Sequence, residues 1–323
     1  MEKKFIYCAL TMDVEPNISR IVNKTGDLYT GLTKSTPALL DILKKHEVPF
    51  TWFITHDYWG KISIKFPSIV KKMSKIGEIG CHVHFRRKEE RYYTDYNFQL
   101  ELIKNATNSL REQGYPVKSF RGGNLFFNKN TLRVLEELDY EVDSSVSPGL
   151  YVKHYDLIVD HRACNYTTPY FPSYDNHCIS GNSKILEIPI SIYPYFHFKT
   201  RFVSFFITKN ISIPLTKENY LKTINRIKKI INNNSIVILV LNFHPWNLLG
   251  NTEYKLRNIE EFILFLKSFN TRFVTMIELK TWLKSNKEFL LKTEDIKKKS
   301  RFIITKFDIL KLVKRISSQR RLN

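Results

Sequence analysis

Two periods of hydrophobic and polar residues alternate along this chain. Residues 5–15 (Phe-Ile-Tyr-Cys-Ala-Leu-Thr-Met-Asp-Val-Glu) form a nearly unbroken apolar run closed by two carboxylates. Such a run predicts a strand buried on both faces, the pattern of a parallel sheet. Residues 37–46 switch to helical spacing, with Thr36 as N-cap and Pro37 at the first helical position. Further strands are predicted over 48–55, 78–85, 119–124, 140–145, 185–192, 235–243 and 273–276. Helices are predicted over 66–76, 97–113, 130–138, 218–231, 259–269 and 278–283. Residues 147–183 are aromatic, proline-containing and weakly periodic, and a loop of that length is usually functional. Strand and helix alternate about seven times, which argues an α/β fold with a parallel sheet, open or closed into a barrel.

Composition narrows this picture. The chain has 323 residues, 43% hydrophobic and 14% aromatic, enough for a large core. No apolar run approaches the ~18 residues of a membrane span. The sequence passes from Met-Glu-Lys-Lys straight into the first strand without a leader pattern, so a cytoplasmic protein is expected. Cys8, Cys81, Cys164 and Cys178 show no paired metal spacing and are read as reduced thiols, with Cys8 and Cys81 as small buried residues. The formal net charge is +20. A nucleic-acid partner is not expected, because charge is the only feature that suggests one and no recognition motif accompanies it. Much of the charge sits at the end: residues 287–323 hold twelve Lys/Arg and four Asp/Glu, a net +8. There Phe302, Ile303, Phe307, Ile309, Leu310, Val313 and Ile316 make a stripe at helical spacing. The expected organisation is a barrel over 1–285 and a basic amphipathic tail over 286–323. The tail either packs on protein or lies on an anionic membrane surface.

The polar groups that carry chemistry fall at strand ends, where α/β proteins place their sites. Asp13 and Glu15 are two apart and share a face of an extended chain. His82 and His84 repeat that spacing, Arg121 precedes two glycines, and His244 precedes Pro245. Two histidines and a carboxylate can hold a divalent metal and leave a position open for water. His46, His154, His161, His177 and His197 are read as packing residues.

These motifs resemble, in order, those of the polysaccharide deacetylases. Thr11-Met-Asp13-Val-Glu15 resembles the family's Thr-Phe-Asp-Asp motif, and Thr51-Trp-Phe-Ile-Thr55 its second strand. Glu78-Ile-Gly-Cys-His82-Val-His84 is similar to the histidine metal motif and Phe120-Arg121-Gly-Gly to the arginine motif. Val142-Asp143-Ser-Ser145 is similar to the groove motif and Leu241-Asn-Phe-His244 to the late histidine motif. The resemblance implies a distorted (β/α)7-type barrel and a metal-dependent hydrolase. It would remove an N-acetyl group from an amino sugar in glycan or surface-polysaccharide metabolism; the expected cytoplasmic location, separately, favours a precursor such as a nucleotide- or lipid-linked sugar. The implied cofactor is a divalent metal, Zn2+ by the family's usual choice. The implied roles are Asp13 as base, His82 and His84 as metal ligands, His244 as acid and Arg121 as the partner that keeps Asp13 charged. Asp143 would tune His244 or line the groove, with Tyr170, Pro172 and Trp246 at the sugar. Two positions depart from the family: Val14 stands where its metal carboxylate is expected, and the histidines are two apart rather than four. Three readings follow. Glu15 replaces the missing ligand, or Asp13 is the ligand and Glu15 the base, or metal binding is weak or lost. The last would leave an inactive barrel that binds glycan or organises a biosynthetic complex.

Overall fold

The computed structural model describes residues 5–290, except 87–91, 93, 155, 165–166, 200–203, 212 and 234–235. Its strands are β1 (Phe5–Val14), β2 (Thr51–Thr55), β3 (Glu78–Val83), β4 (Ser119–Gly122), β5 (Val142–Asp143) and β6 (Tyr151–His154). They continue as β7 (Leu157–Asp160), β8 (Leu186–Glu187), β9 (Ile192–Lys199), β10 (Ser204–Asn210), β11 (Ile236–Phe243) and β12 (Asn270–Phe273). Between them lie α1 (Ser19–Thr25), α2 (Thr36–Lys45), α3 (Ile62–Lys65), α4 (Pro67–Ser74) and α5 (Tyr96–Glu112). The later helices are α6 (Lys129–Glu137), α7 (Lys217–Asn233), α8 (Thr252–Lys267) and α9 (Met276–Ser285).

Among the described residues eight strands form one parallel sheet in the order β11-β1-β2-β3-β4-β5-β8, with β12 also on β1. The sheet curls until the chain after β8 reaches β11: Ser191 N–H donates to Val240 O at 3.0 Å, and Val240 N–H to Ser191 Oγ at 2.9 Å. The curled sheet and its outer helices make a (β/α) barrel, as strand and helix alternation predicted. β1 is its axis. Its even positions Cys8, Leu10, Met12 and Val14 pack in the helix-side core, while Ala9 faces an inner core with Phe53, Val142, Leu186 and Val240. Strand alternation therefore carries Thr11 and Asp13 to the barrel interior. α9 plugs the amino-terminal end of that interior through Met276, Leu279 and Leu283.

Three elements differ from the sequence expectation. The helix expected over 66–76 is α4, and an unexpected short α3 precedes it; Phe66 between them (φ −130°, ψ 54°) is non-helical, because Pro67 disfavours the helical region for the residue before it. α8 begins at Thr252, seven residues early, since its first turns are too polar to show a stripe. The segment 147–183 contains the antiparallel pair β6–β7, and a second pair, β9–β10, follows β8. Cys164 and Cys178 are joined as a disulfide, against the expectation of four reduced thiols, because the fold brings two positions 14 apart into contact. Cys8 and Cys81 are free and buried. Most of the tail expected over 286–323 lies outside the described residues. Among those described, no helix is long and apolar enough to cross a membrane.

Candidate active site

Strand register assembles the site. Thr11 lies beside Asn242 on β11, Asp13 beside Phe53 on β2, and His82 beside Arg121 on β4. Their side chains meet at the carboxyl ends of the strands, on the floor of a cavity of about 590 Å³.

Arg121 organises one side of that floor. It is fully buried. Its Nε donates to Ser144 O at 2.8 Å and its Nη2 to Ser144 Oγ at 2.9 Å. Nη1 reaches Thr11 Oγ1 at 2.8 Å and Asp13 Oδ1 at 2.9 Å, and the guanidinium lies 4.2 Å from the Phe53 ring centroid. Asp13 takes a second hydrogen bond at Oδ2 from Asn242 Nδ2, 2.9 Å away. Burial pushes the Asp13 carboxyl up, but Arg121, followed by His82 and His244, outweighs it and holds the group below its ordinary value.

Glu15, His82 and His84 form the other side, with one donor atom from each within 4.8 Å of the others. Glu15 Oε2 lies 3.3 Å from His82 Nε2 and 2.9 Å from His84 Nε2. Each imidazole is held by its far nitrogen. His82 Nδ1 donates to Arg121 O at 2.8 Å, and His84 Nδ1 meets Asp57 Oδ2 at 3.0 Å. Asp57 Oδ2 also accepts His84 N–H at 2.6 Å, and Oδ1 accepts Trp59 N–H at 2.7 Å. Burial alone would raise Glu15, yet the His84 charge and the His82 and His84 contacts hold it well below the ordinary range. Burial alone would lower His84, yet Glu15 and Asp57 raise it to about 10.

These three residues fit a divalent ion. Both Nε2 atoms face the carboxylate while both Nδ1 atoms are tied back, the outer arrangement that orients metal-bound imidazoles. Glu15 Oε2 is buried with no well-directed hydrogen bond to satisfy it. Two nitrogens and an oxygen suit zinc and its neighbours, with room left for water.

His244 stands apart at the mouth, its side chain 31% exposed against 6% or less for Asp13 and Glu15. Its Nε2 is 3.3 Å from Glu15 Oε1 and 3.7 Å from Asp13 Oδ2. Asn247 Oδ1 faces its Nδ1 at 3.3 Å, and Trp246 stacks on the ring at 4.3 Å.

The cavity thus brings together Asp13, Glu15, His82, His84, His244 and Trp246, with Arg121 directly behind Asp13. Three expected substrate contacts are elsewhere. Asp143 is fully buried, accepts from Ser145 N–H and Oγ–H, and pairs in register with Glu187 in the interior. Tyr170 is buried, its hydroxyl donating to His177 O at 2.8 Å. Pro172 is buried and bridges to Ser180. The weakly periodic segment folds on itself there instead of facing the cavity. Two working residues, Asp57 and Asn242, carried no reading of their own. Each stands beside a motif histidine or strand end, and only partner geometry distinguishes it from a turn or strand residue. Of the histidines read as packing, His46 pairs with Glu260 at 2.7 Å, and the side chains of His154 and His197 lie outside those described.

This cluster on this fold suits the hydrolysis of an amide bond. Residues 4–142, which carry every motif from Asp13 to Arg121, match the polysaccharide deacetylase family model, and that stretch is polysaccharide deacetylase-like. The fold agrees with a Mycobacterium smegmatis protein described as a polysaccharide deacetylase. Its TM-score is 0.61 and its identity 18%, with 89% of this chain and 92% of that one covered. Puue allantoinase aligns with TM-score 0.59 and 14% identity over 87% and 90%. A Pseudomonas aeruginosa PAO1 protein described as a polysaccharide deacetylase gives 0.58 and 15% over 86% and 91%. No curated protein sequence matches the chain.

Proposed function

We propose that this protein removes an N-acetyl group from an amino sugar in glycan or surface-polysaccharide metabolism, with a divalent metal, zinc by its donor set, held by Glu15, His82 and His84. The observation that carries this is the convergence, in one cavity, of an arginine-held carboxylate and a separate Glu-His-His cluster. The bound ion would supply a polarised amide carbonyl and a water of lowered pKa. Asp13 stays ionised between Arg121 and Asn242, and its Oδ2 is placed to accept the proton of the attacking water. His244, more open and backed by Asn247, donates a proton to the departing amine at the cavity mouth. Amide and water thereby become acetate and free amine. In this reading Glu15 takes the ligand role that Val14 cannot, supported by its contacts with His82 and His84.

The cavity also bears on the carrier of the sugar. Leu150, Val152, Ile190, Ile211 and Ile213 give it an apolar wall, and no lysine or arginine lines it among the described residues. A nucleotide diphosphate asks for cationic donors, whereas a lipid carrier asks for apolar surface. A lipid-linked N-acetyl sugar is the better match.

The test is metal content by elemental analysis with acetate release from N-acetylated sugars, for the wild type and His82→Ala. The wild type should hold one more zinc-class ion per chain than the variant and should alone release acetate. Wild-type protein that takes up no more zinc, cobalt or nickel than His82→Ala would overturn the metal reading.

A further inference from the structure

The segment between β5 and β8 holds a second group of donor residues, none of which lines the cavity described above. Cys164 and Cys178 are 1% and 3% exposed and joined to each other. His177 adjoins Cys178, and one donor atom from each of Cys164, His177 and Cys178 lies within 4.8 Å of the other two. The His161 ring, fully buried, packs edge-on against His177 with centroids 5.5 Å apart. Phe127 packs on the other side of His177, also at 5.5 Å.

The disulfide accounts for the sulfurs and leaves the imidazoles unexplained. Nε2 of His177 and Nε2 of His161 are both buried with no hydrogen-bond partner. Buried polar atoms are nearly always satisfied, so two orphaned nitrogens beside a cysteine pair point to a missing occupant. His161 Nδ1 accepts Ser147 N–H at 3.2 Å, which places its proton on Nε2 and makes it a donor. His177 carries no such constraint, and its Nε2 is open to ligate.

We propose that Cys164, Cys178 and His177 form a second metal site, which takes a zinc ion when the disulfide is reduced. A thiol reductant converts the S–S bond to two thiols and is itself oxidised to its disulfide. The two thiols then release their protons to solvent as the sulfurs and the His177 nitrogen bind the ion. His161 supplies an N–H donor beside the resulting thiolates, a positioning role. The fourth position is left to water or an outside ligand, as in other sites with three protein ligands. Which form is present follows the redox poise around the protein, since reduced thiols prevail in one kind of compartment and disulfides in another. The site staples a segment that supplies Leu150 and Val152 to the cavity wall.

Cobalt(II) provides the test, because thiolate ligands give a charge-transfer band in the near ultraviolet and the Glu-His-His site contains no sulfur. The experiment uses full-length His82→Ala protein, oxidised and then reduced under nitrogen, with added cobalt and then zinc. The band should appear only after reduction, be bleached by zinc, be lost in Cys164→Ser and weaken in His177→Ala. It should persist in Cys8→Ser. Reduced protein whose Cys164 and Cys178 both react with a thiol reagent, yet which gives no band and gains no metal, would establish a plain disulfide and overturn the proposal. The oxidised-versus-reduced comparison stands even where a substituted chain fails to fold. Its outcome is independent of the amide-hydrolase reading.

Discussion

Asp13 and Glu15 are chemically alike and two residues apart, and their partners give them different work. Asp13 is held by a guanidinium and an amide, Glu15 by two imidazoles. Asp13→Asn should therefore lower kcat about 10²–10⁴-fold while metal content is kept, the usual size of a lost acid–base group. Glu15→Gln should lose the metal. The reverse pattern in the two variants would make Glu15 the base. Arg121 is the structural half of this pair. Arg121→Met leaves Asp13 buried without its charge partner, so urea denaturation should show a loss of about 3–5 kcal/mol. The pairing of Arg121 with Asp13 was legible from motif resemblance. The support from Thr11, Ser144 and Phe53 was not, because these come from β1, β2 and the residue after β5, whose register no local pattern encodes.

At the scale of elements, the turn after β4 matters most. Gly123 lies against the His84 ring: a Cβ there would fall 2.3 Å from His84 Cδ2 and 2.9 Å from its Cα. Gly123→Ala should push His84 off Glu15 and weaken metal binding. Asp57→Asn, which withdraws the charge behind His84 from the loop after β2, should weaken it about 10–100-fold. Metal titration of both variants by calorimetry checks this, and unchanged affinity in Asp57→Asn would remove Asp57 from the site. The buried strands β1, β2, β3 and β11 were readable because each is an apolar run. The pairs β6–β7 and β9–β10 were not, since their residues are short, mixed and bounded by aromatic and proline-rich sequence. They nevertheless flank the apolar wall that bears on the substrate.

For the whole molecule, the barrel interior carries a cost that changes with pH. Asp143 and Glu187 are neighbours across β5 and β8, both fully buried. Burial pushes both carboxyls up, and the Asp143 charge drives Glu187 well above 4.5. Two buried carboxyls in contact do not both ionise, so the pair keeps a proton. A carboxyl whose folded pKa is raised favours the folded state below its unfolded value and loses that contribution as pH rises toward the folded value. Glu187→Gln should thus raise the melting temperature near pH 7, with the gap to wild type closing near pH 4. Thermal scans across that range test it, and a gap that does not vary with pH would contradict the shared proton. The apolar cavity wall makes a second prediction at this scale: a lipid-linked N-acetyl sugar should be turned over with higher kcat/KM than its nucleotide-linked counterpart. Equal values would remove the wall from substrate choice.

The sequence by itself determined the alternating α/β architecture, the interior strands and the identities of the residues at their ends. Those features are local: an apolar run, a period, an acid two residues from an acid. Tertiary structure alone decided which carboxylate meets which base, because parallel register places β1 between β11 and β2 and aligns His82 with Arg121. It paired Asp143 with Glu187 and left it out of the cavity lining, because a strand two residues long has no pattern that fixes which way its side chains face. It also joined Cys164 to Cys178 and seated His161 and His177 beside them, a contact made by chain folding over a segment with no period of its own.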